Sequence, residues 1–127
     1  MLRHLVPAGI RKPFANYSHA VEVQTGARLL FCSGQLGISA DDHIPEGVEE
    51  QSILCFEAIG LCLAEARMGF RDLVRINAYV TDRACMAPYM TVRDRYVTLP
   101  APASTLMIVS GFTRPEFKVE IEVIAAK

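Results

Sequence analysis

The stretch FKVEIEVIAA, residues 117–126, alternates with a period of two: Val119, Ile121 and Val123 fall on one side of a strand, Lys118, Glu120 and Glu122 on the other. Such a strand needs a layer over its apolar face. The neighbouring sequence supplies one. In residues 47–69, Val48, Cys55, Phe56, Ile59, Cys62, Leu63 and Ala66 recur at three- and four-residue intervals, the signature of a helix with one apolar stripe, and Gly69 is a natural stop. A second helix, residues 87–97, carries Pro88 in its first turn and aligns Tyr89, Val92 and Tyr96.

Between the helices, LVRINAYVTD (73–82) repeats the strand pattern, with Val74, Ile76, Ala78 and Val80 opposite Arg75, Asn77 and Tyr79. After the second helix, VTLPAPASTLMIVSGF (97–112) has no charge. It opens with two prolines, passes a hydroxyl pair and becomes the strand STLMIVS, so it reads as a wall that could line a site. Towards the N-terminus, HAVEVQ (19–24) and RLLFCSG (28–34) flank a short TGA break and predict an antiparallel hairpin. GQLGISADDHIP (34–45) reads as a surface loop. The predicted order is β-β-α-β-α-β-β: an α+β domain, residues 1–127, whose mixed sheet carries both helices on one face and leaves the Lys and Glu ladder to water or to another subunit.

Bulk properties agree with a single small domain. The chain has 127 residues, and a hydrophobic content of 51% with mean hydropathy +0.24 favours burial of some apolar surface between subunits. The 13 basic and 14 acidic residues nearly cancel and form no basic stripe, which argues against nucleic acid as a partner. Four cysteines at 32, 55, 62 and 85 form no C-x-x-C pair, and the N-terminal residues hold no long apolar run for export or membrane insertion. The expectation is a cytoplasmic protein with reduced thiols. Cys55 and Cys62 share a helical face and read as small core residues, while His4, His19 and His43 are scattered, so no metal is expected.

Several strings are recognisable together: FANYSHAV (14–21), FCSGQ (31–35), EEQ (49–51), NAYVTD (77–82), PAST (102–105) and VEIEVIAA (119–126). From about residue 10 to the end, the chain resembles the RidA/YjgF family of reactive intermediate deaminases, known in older usage as endoribonuclease L-PSP. The resemblance implies a chorismate-mutase-like fold and a homotrimer with a small-molecule site at each subunit interface. In the deaminase members it also implies hydrolysis of imines or enamines to ammonia and a 2-keto acid, without a cofactor. It puts the proton-handling carboxylate on Glu120 and a pocket tyrosine on Tyr17. Ser33 and Gly34 would bring backbone N–H groups to the ligand, and Thr105 an amide and a hydroxyl. Tyr17 could equally cap a core edge, and Glu120 could equally pair with a cation across the trimer.

One feature departs from that pattern. The family's strand entry reads Pro-Ala-Arg followed by Ser or Thr, and its arginine holds the substrate carboxylate; here Ala101-Pro102-Ala103-Ser104-Thr105 has no arginine, and Ala103 is expected in its place. Losing such a desolvated contact costs about 2–5 kcal/mol, roughly thirtyfold to several-thousandfold in affinity for an anion. Arg93 on the second helix, near a position where the family often has a pocket asparagine, and Arg114 after the wall are the candidate substitutes. Two functions follow: a hydrolytic deaminase of altered specificity, or a trimer that binds a small metabolite without turnover. The charge balance disfavours a ribonuclease.

Overall fold

The computed structural model describes residues 1–127. Six strands and two helices follow the order β1 (Leu2–Leu5), β2 (Ala20–Val23), β3 (Leu29–Leu36), α1 (Val48–Glu65), β4 (Leu73–Val80), α2 (Met86–Tyr96), β5 (Ala103–Ile108) and β6 (Val119–Ala126). The opening stretch lies inside the main sheet, whose order is β3-β6-β4-β5. β6 runs antiparallel to both of its neighbours, and β4 and β5 are parallel, joined through α2.

Alternation in β6 resolves as expected. Val119, Ile121, Val123 and Ala125 are buried under the helices, in one core with Ile76, Ala78 and Val80 of β4, Cys55, Phe56, Ile59 and Leu63 of α1, and Tyr89 and Val92 of α2. Tyr96 completes an aromatic stack on Phe56, ring centroids 4.9 Å apart. Val48, Cys62 and Ala66 pack at the rim of this core. Burial pushes the Cys55 thiol up to about 12, and it donates to the Gln35 carbonyl, so it is an inert core residue.

Four local expectations change. β2 and β3 do not form a hairpin: β2 pairs with β1, Leu2 opposite Val23, while β3 pairs with β6. Alternation reveals a half-buried strand but not its partner, and the reciprocal bonds between Arg28 and Lys127 draw the start of β3 to the C-terminus instead. The four-residue β1 is too short for its sequence to signal a strand, so the order gains one element. Helix α1 ends at Glu65 with Ala66 as its C-cap, well before Gly69. Arg67 takes φ 58, with Met68 N–H bonded to Leu63 O and Arg67 N–H to Ala64 O, a Schellman ending that needs no glycine here. Finally, a register shift between Leu73 and Arg75 places Leu73, not Val74, in the core.

A buried polar residue locks the loops. Gln51 on α1 donates to the Pro45 and Glu116 carbonyls at 2.8 and 2.9 Å and accepts from Lys118 N–H at 2.8 Å, fastening both the 34–45 loop and the entry to β6. Gly37 lies so close that an added Cβ would stand 2.3 Å from the Gln51 Cβ, which explains a glycine there.

Candidate functional site

The expected site residues separate into two groups within one chain. The first occupies the sheet face away from the helices. Here Tyr79 OH and Asn77 Nδ2 both donate to Glu122 Oε1, the latter at 3.5 Å. Arg75 donates from Nε to Asn77 Oδ1 at 2.8 Å and from Nη2 to Thr105 Oγ1 at 2.6 Å. Glu120, beside this network, has no hydrogen-bond partner. Its carboxyl sits against Gly34, where an added Cβ would come within 2.8 Å of it, so a larger residue there would displace the carboxyl from its present position. Desolvation first, and then the neighbouring Glu122, raise the Glu120 pKa above the usual carboxylate value. The two carboxylates, two residues apart on β6, thus differ: Glu122 is held by donors, and Glu120 has none.

Ser33 lines a groove of about 280 Å³ on this face with Phe31, Asn77 and Glu122. Phe31 and Met107 remain 69% and 51% exposed, a large apolar area to leave in water.

The second group lies at the open edge of β5, on the helix side. A cavity of about 350 Å³ is lined by Tyr17, Arg93, Ser104 and apolar side chains that include Met86 and Met90. Ser18 positions Tyr17 there. Its N–H donates to Pro102 O at 2.9 Å and its buried hydroxyl to Ala101 O at 2.5 Å, tying residues 14–18 along the strand entry. The Tyr17 hydroxyl accepts from Phe14 N–H at 3.3 Å. Arg93 is only 3% exposed; Asp94 Oδ1 accepts from its Nε and Nη2 at 3.1 and 3.0 Å, and Nη1 has no partner.

The strand period puts Ala103 and Ser104 on opposite faces. Ala103 and Thr105 stand opposite Arg75 and Asn77, so they belong to the carboxylate face, and Ala103 is buried. Ser104, one step on, looks into the cavity. Counted onto Pro102-Ala103-Ser104, the Pro-Ala-Arg string implied by the resemblance sets its arginine on Ser104. One residue of register reverses the face. Arg114 lines neither cavity; its guanidinium lies 6.0 Å from the Phe117 ring in the loop before β6. No three His, Cys, Asp or Glu side chains converge to hold a metal ion, and no helix is long and apolar enough to cross a membrane.

Residues that the sequence did not single out include Ser18, Ser104, Met86, Met90 and the Arg75-Asn77-Tyr79 row. The row was visible as the polar side of LVRINAYV. Ser18 carried no signal, because its hydroxyl's partner, Ala101, lies 83 residues away.

Comparison with known proteins identifies the family and the fold. The family model described as Endoribonuclease L-PSP matches residues 9–127. The mitochondrial protein mmf2 of Schizosaccharomyces pombe is 30% identical over 113 residues, 87% of each chain. A RutC family protein of Aquifex aeolicus is 31% identical over 91% of each chain. Among solved structures, YyfB of the Rid family from Yersinia pestis shares the fold with TM-score 0.86 at 24% identity, covering 99% of this chain and 98% of its own. RidA from Psychrobacter sp. PAMC 21119 aligns with TM-score 0.74 at 28% identity over 96% and 94% of the two chains. Sheet order, helix placement and a family match over nearly the full length lead to one conclusion: the chain belongs to the RidA/YjgF family and has its chorismate-mutase-like α+β fold.

Proposed function

We propose that this protein is a homotrimeric hydrolase of small imines or enamines, with Glu120 as its proton carrier and no cofactor. The observation that carries the reading is the position of the Glu120 carboxyl: unbonded, seated on Gly34, beside a second carboxylate, and on a sheet face with uncovered Phe31 and Met107. Packing three such faces together would cover that apolar surface and bring Glu120 of one copy towards the β5 edge of the next, where Tyr17 and Ser104 wait. Neither group is a complete site alone.

The chemistry is balanced and simple. Ionised Glu120 accepts a proton from water as the oxygen adds to the C=N carbon and passes it to the nitrogen, giving a neutral carbinolamine; the carboxylate then takes the carbinolamine hydroxyl proton and delivers it to nitrogen as the C–N bond breaks, so ammonia leaves and the C=O of the product forms. Backbone N–H groups around Ser33 and Gly34 are available to the developing charge. Because Ser104 stands where deaminase relatives have a cation, specificity is altered rather than inherited.

The test follows ammonia release from imines generated in situ from amino acids. Wild type should turn over a subset of them, and Glu120→Ala should lower the rate by about 10²–10⁴-fold with the fold retained. Ser104→Arg should widen the range to small, strongly anionic imines. Saturable ligand binding with no ammonia from any imine would favour the non-catalytic metabolite-binding reading, and a monomer at working concentration would exclude a shared site.

A further inference from the structure

The cavity beside β5 contains a buried cation that the family pattern does not require. Arg93 is on α2, its guanidinium 6.0 Å above the Tyr89 ring, with one carboxylate partner, Asp94, whose side chain is 41% exposed. Asp94 engages Nε and Nη2 through a single oxygen; Nη1 bonds nothing. A guanidinium this deeply enclosed ordinarily has its donors met by protein groups, since desolvating a charge is costly. The only fully buried side-chain polar atoms without a partner are Ser52 Oγ and Tyr89 OH, so Arg93 Nη1 keeps some exposure, and on a largely buried arginine that lines a cavity this open donor is placed to receive an acceptor.

The remaining lining sets the rest of the ligand. Met86, Met90 and Leu106 face the same space, with Phe14, 81% exposed, at its mouth. The volume of about 350 Å³ is at the small end of ligand sites. Thioether side chains adapt to branched or irregular apolar groups. Ser104 contributes a hydroxyl and, lacking an arginine's bulk, leaves the space open.

We infer that Arg93 is the anion-holding residue of this protein, entering the pocket from α2 instead of β5, and that the cavity selects carboxylates bearing an apolar side chain of about four carbons, such as branched-chain 2-imino acids and their 2-keto products. This deepens the hydrolase reading and rests on it for the word substrate; the binding claim stands without turnover.

The experiment is calorimetric titration of the full chain with three stable probes: 4-methyl-2-oxopentanoate, its carboxamide, and pyruvate. Wild type should bind the branched carboxylate about thirtyfold or more tightly than the carboxamide, and about tenfold or more tightly than pyruvate. Arg93→Met should lower affinity for the carboxylate by a similar factor and leave the carboxamide unchanged. Should Arg93→Met fail to fold, Ser104→Trp, at a partly exposed strand position, should fill the cavity and abolish binding of the branched carboxylate. Equal affinity for carboxylate and carboxamide, or binding that survives either variant, would overturn the assignment. Ammonia release is measured on the same samples: selective binding with no turnover removes the hydrolase and keeps the clamp, whereas turnover without carboxylate selectivity removes the clamp and keeps the hydrolase.

Discussion

The two faces of β6 are written by one alternating run, yet they are finished to different degrees. Val119, Ile121 and Val123 meet α1 and β4 in a closed core, whereas Glu120, Glu122 and Ile124 face a network that the chain itself leaves uncovered. Hydrophobic burial needs only a layer of any apolar side chains. The polar face instead depends on particular donors: Tyr79 and Asn77 satisfy Glu122, and nothing satisfies Glu120. A difference of one residue along the strand therefore separates a side chain that holds the fold together from one available for chemistry.

That contrast can be broken most strongly at adjacent positions. Glu120→Gln should abolish most turnover while leaving the chain folded, whereas Ile121→Ala, next to it, should cost about 2–5 kcal/mol of stability in denaturant titration by opening a cavity beneath α1. Comparable stability losses from both changes would mean that the two faces are equally structural.

A smaller effect is expected at Ser18. Ser18→Ala leaves the Ala101 carbonyl without its side-chain donor in a buried setting, at a cost of about 1–3 kcal/mol, and should weaken ligand binding more than the melt predicts, because residues 14–17 lose their anchor to β5. Parallel melts and titrations measure the two separately.

The subtlest change concerns protons. Desolvation and Glu122 both raise the Glu120 pKa, so in the folded state Glu120 retains its proton to higher pH than in the unfolded chain. Folding then binds more protons, and this contribution to stability is present below the unfolded carboxyl pKa and lost as pH rises through the folded value. Glu120→Gln should accordingly raise the midpoint of thermal melting at pH 7 and lose that advantage at pH 3. Glu122→Gln removes one of the two causes, so the acid limb of the pH–rate profile, which reports ionised Glu120, should move to lower pH. A limb that stays fixed would assign the raised value to burial alone.

Much of this was legible in the chain. The period of two in residues 117–126 and 73–82 and the stripes in α1 and α2 are local consequences of burying one face, and they predicted strands, helices and the core with few errors. The family strings pointed to Glu120, Gly34 and Tyr17. What the local pattern misjudged was pairing: β2 found β1 rather than β3, and the register of β5 against β4 put Ala103 on the carboxylate face and Ser104 on the cavity side. Arg93 was named as a candidate cation, but its burial and the cavity it shares with the 14–17 segment and β5 could not be read from α2 alone.

The amino-acid sequence by itself determined which residues are apolar, at what period, and hence which elements form and which faces they bury. Only the tertiary structure decided that Glu120 lacks a partner, that Ser18 ties the N-terminal segment to β5, and that Arg93 is enclosed beside a cavity. The physical reason is range: periodicity is set by neighbours within a turn or a strand, whereas desolvation and hydrogen-bond satisfaction depend on groups brought together from distant parts of the chain.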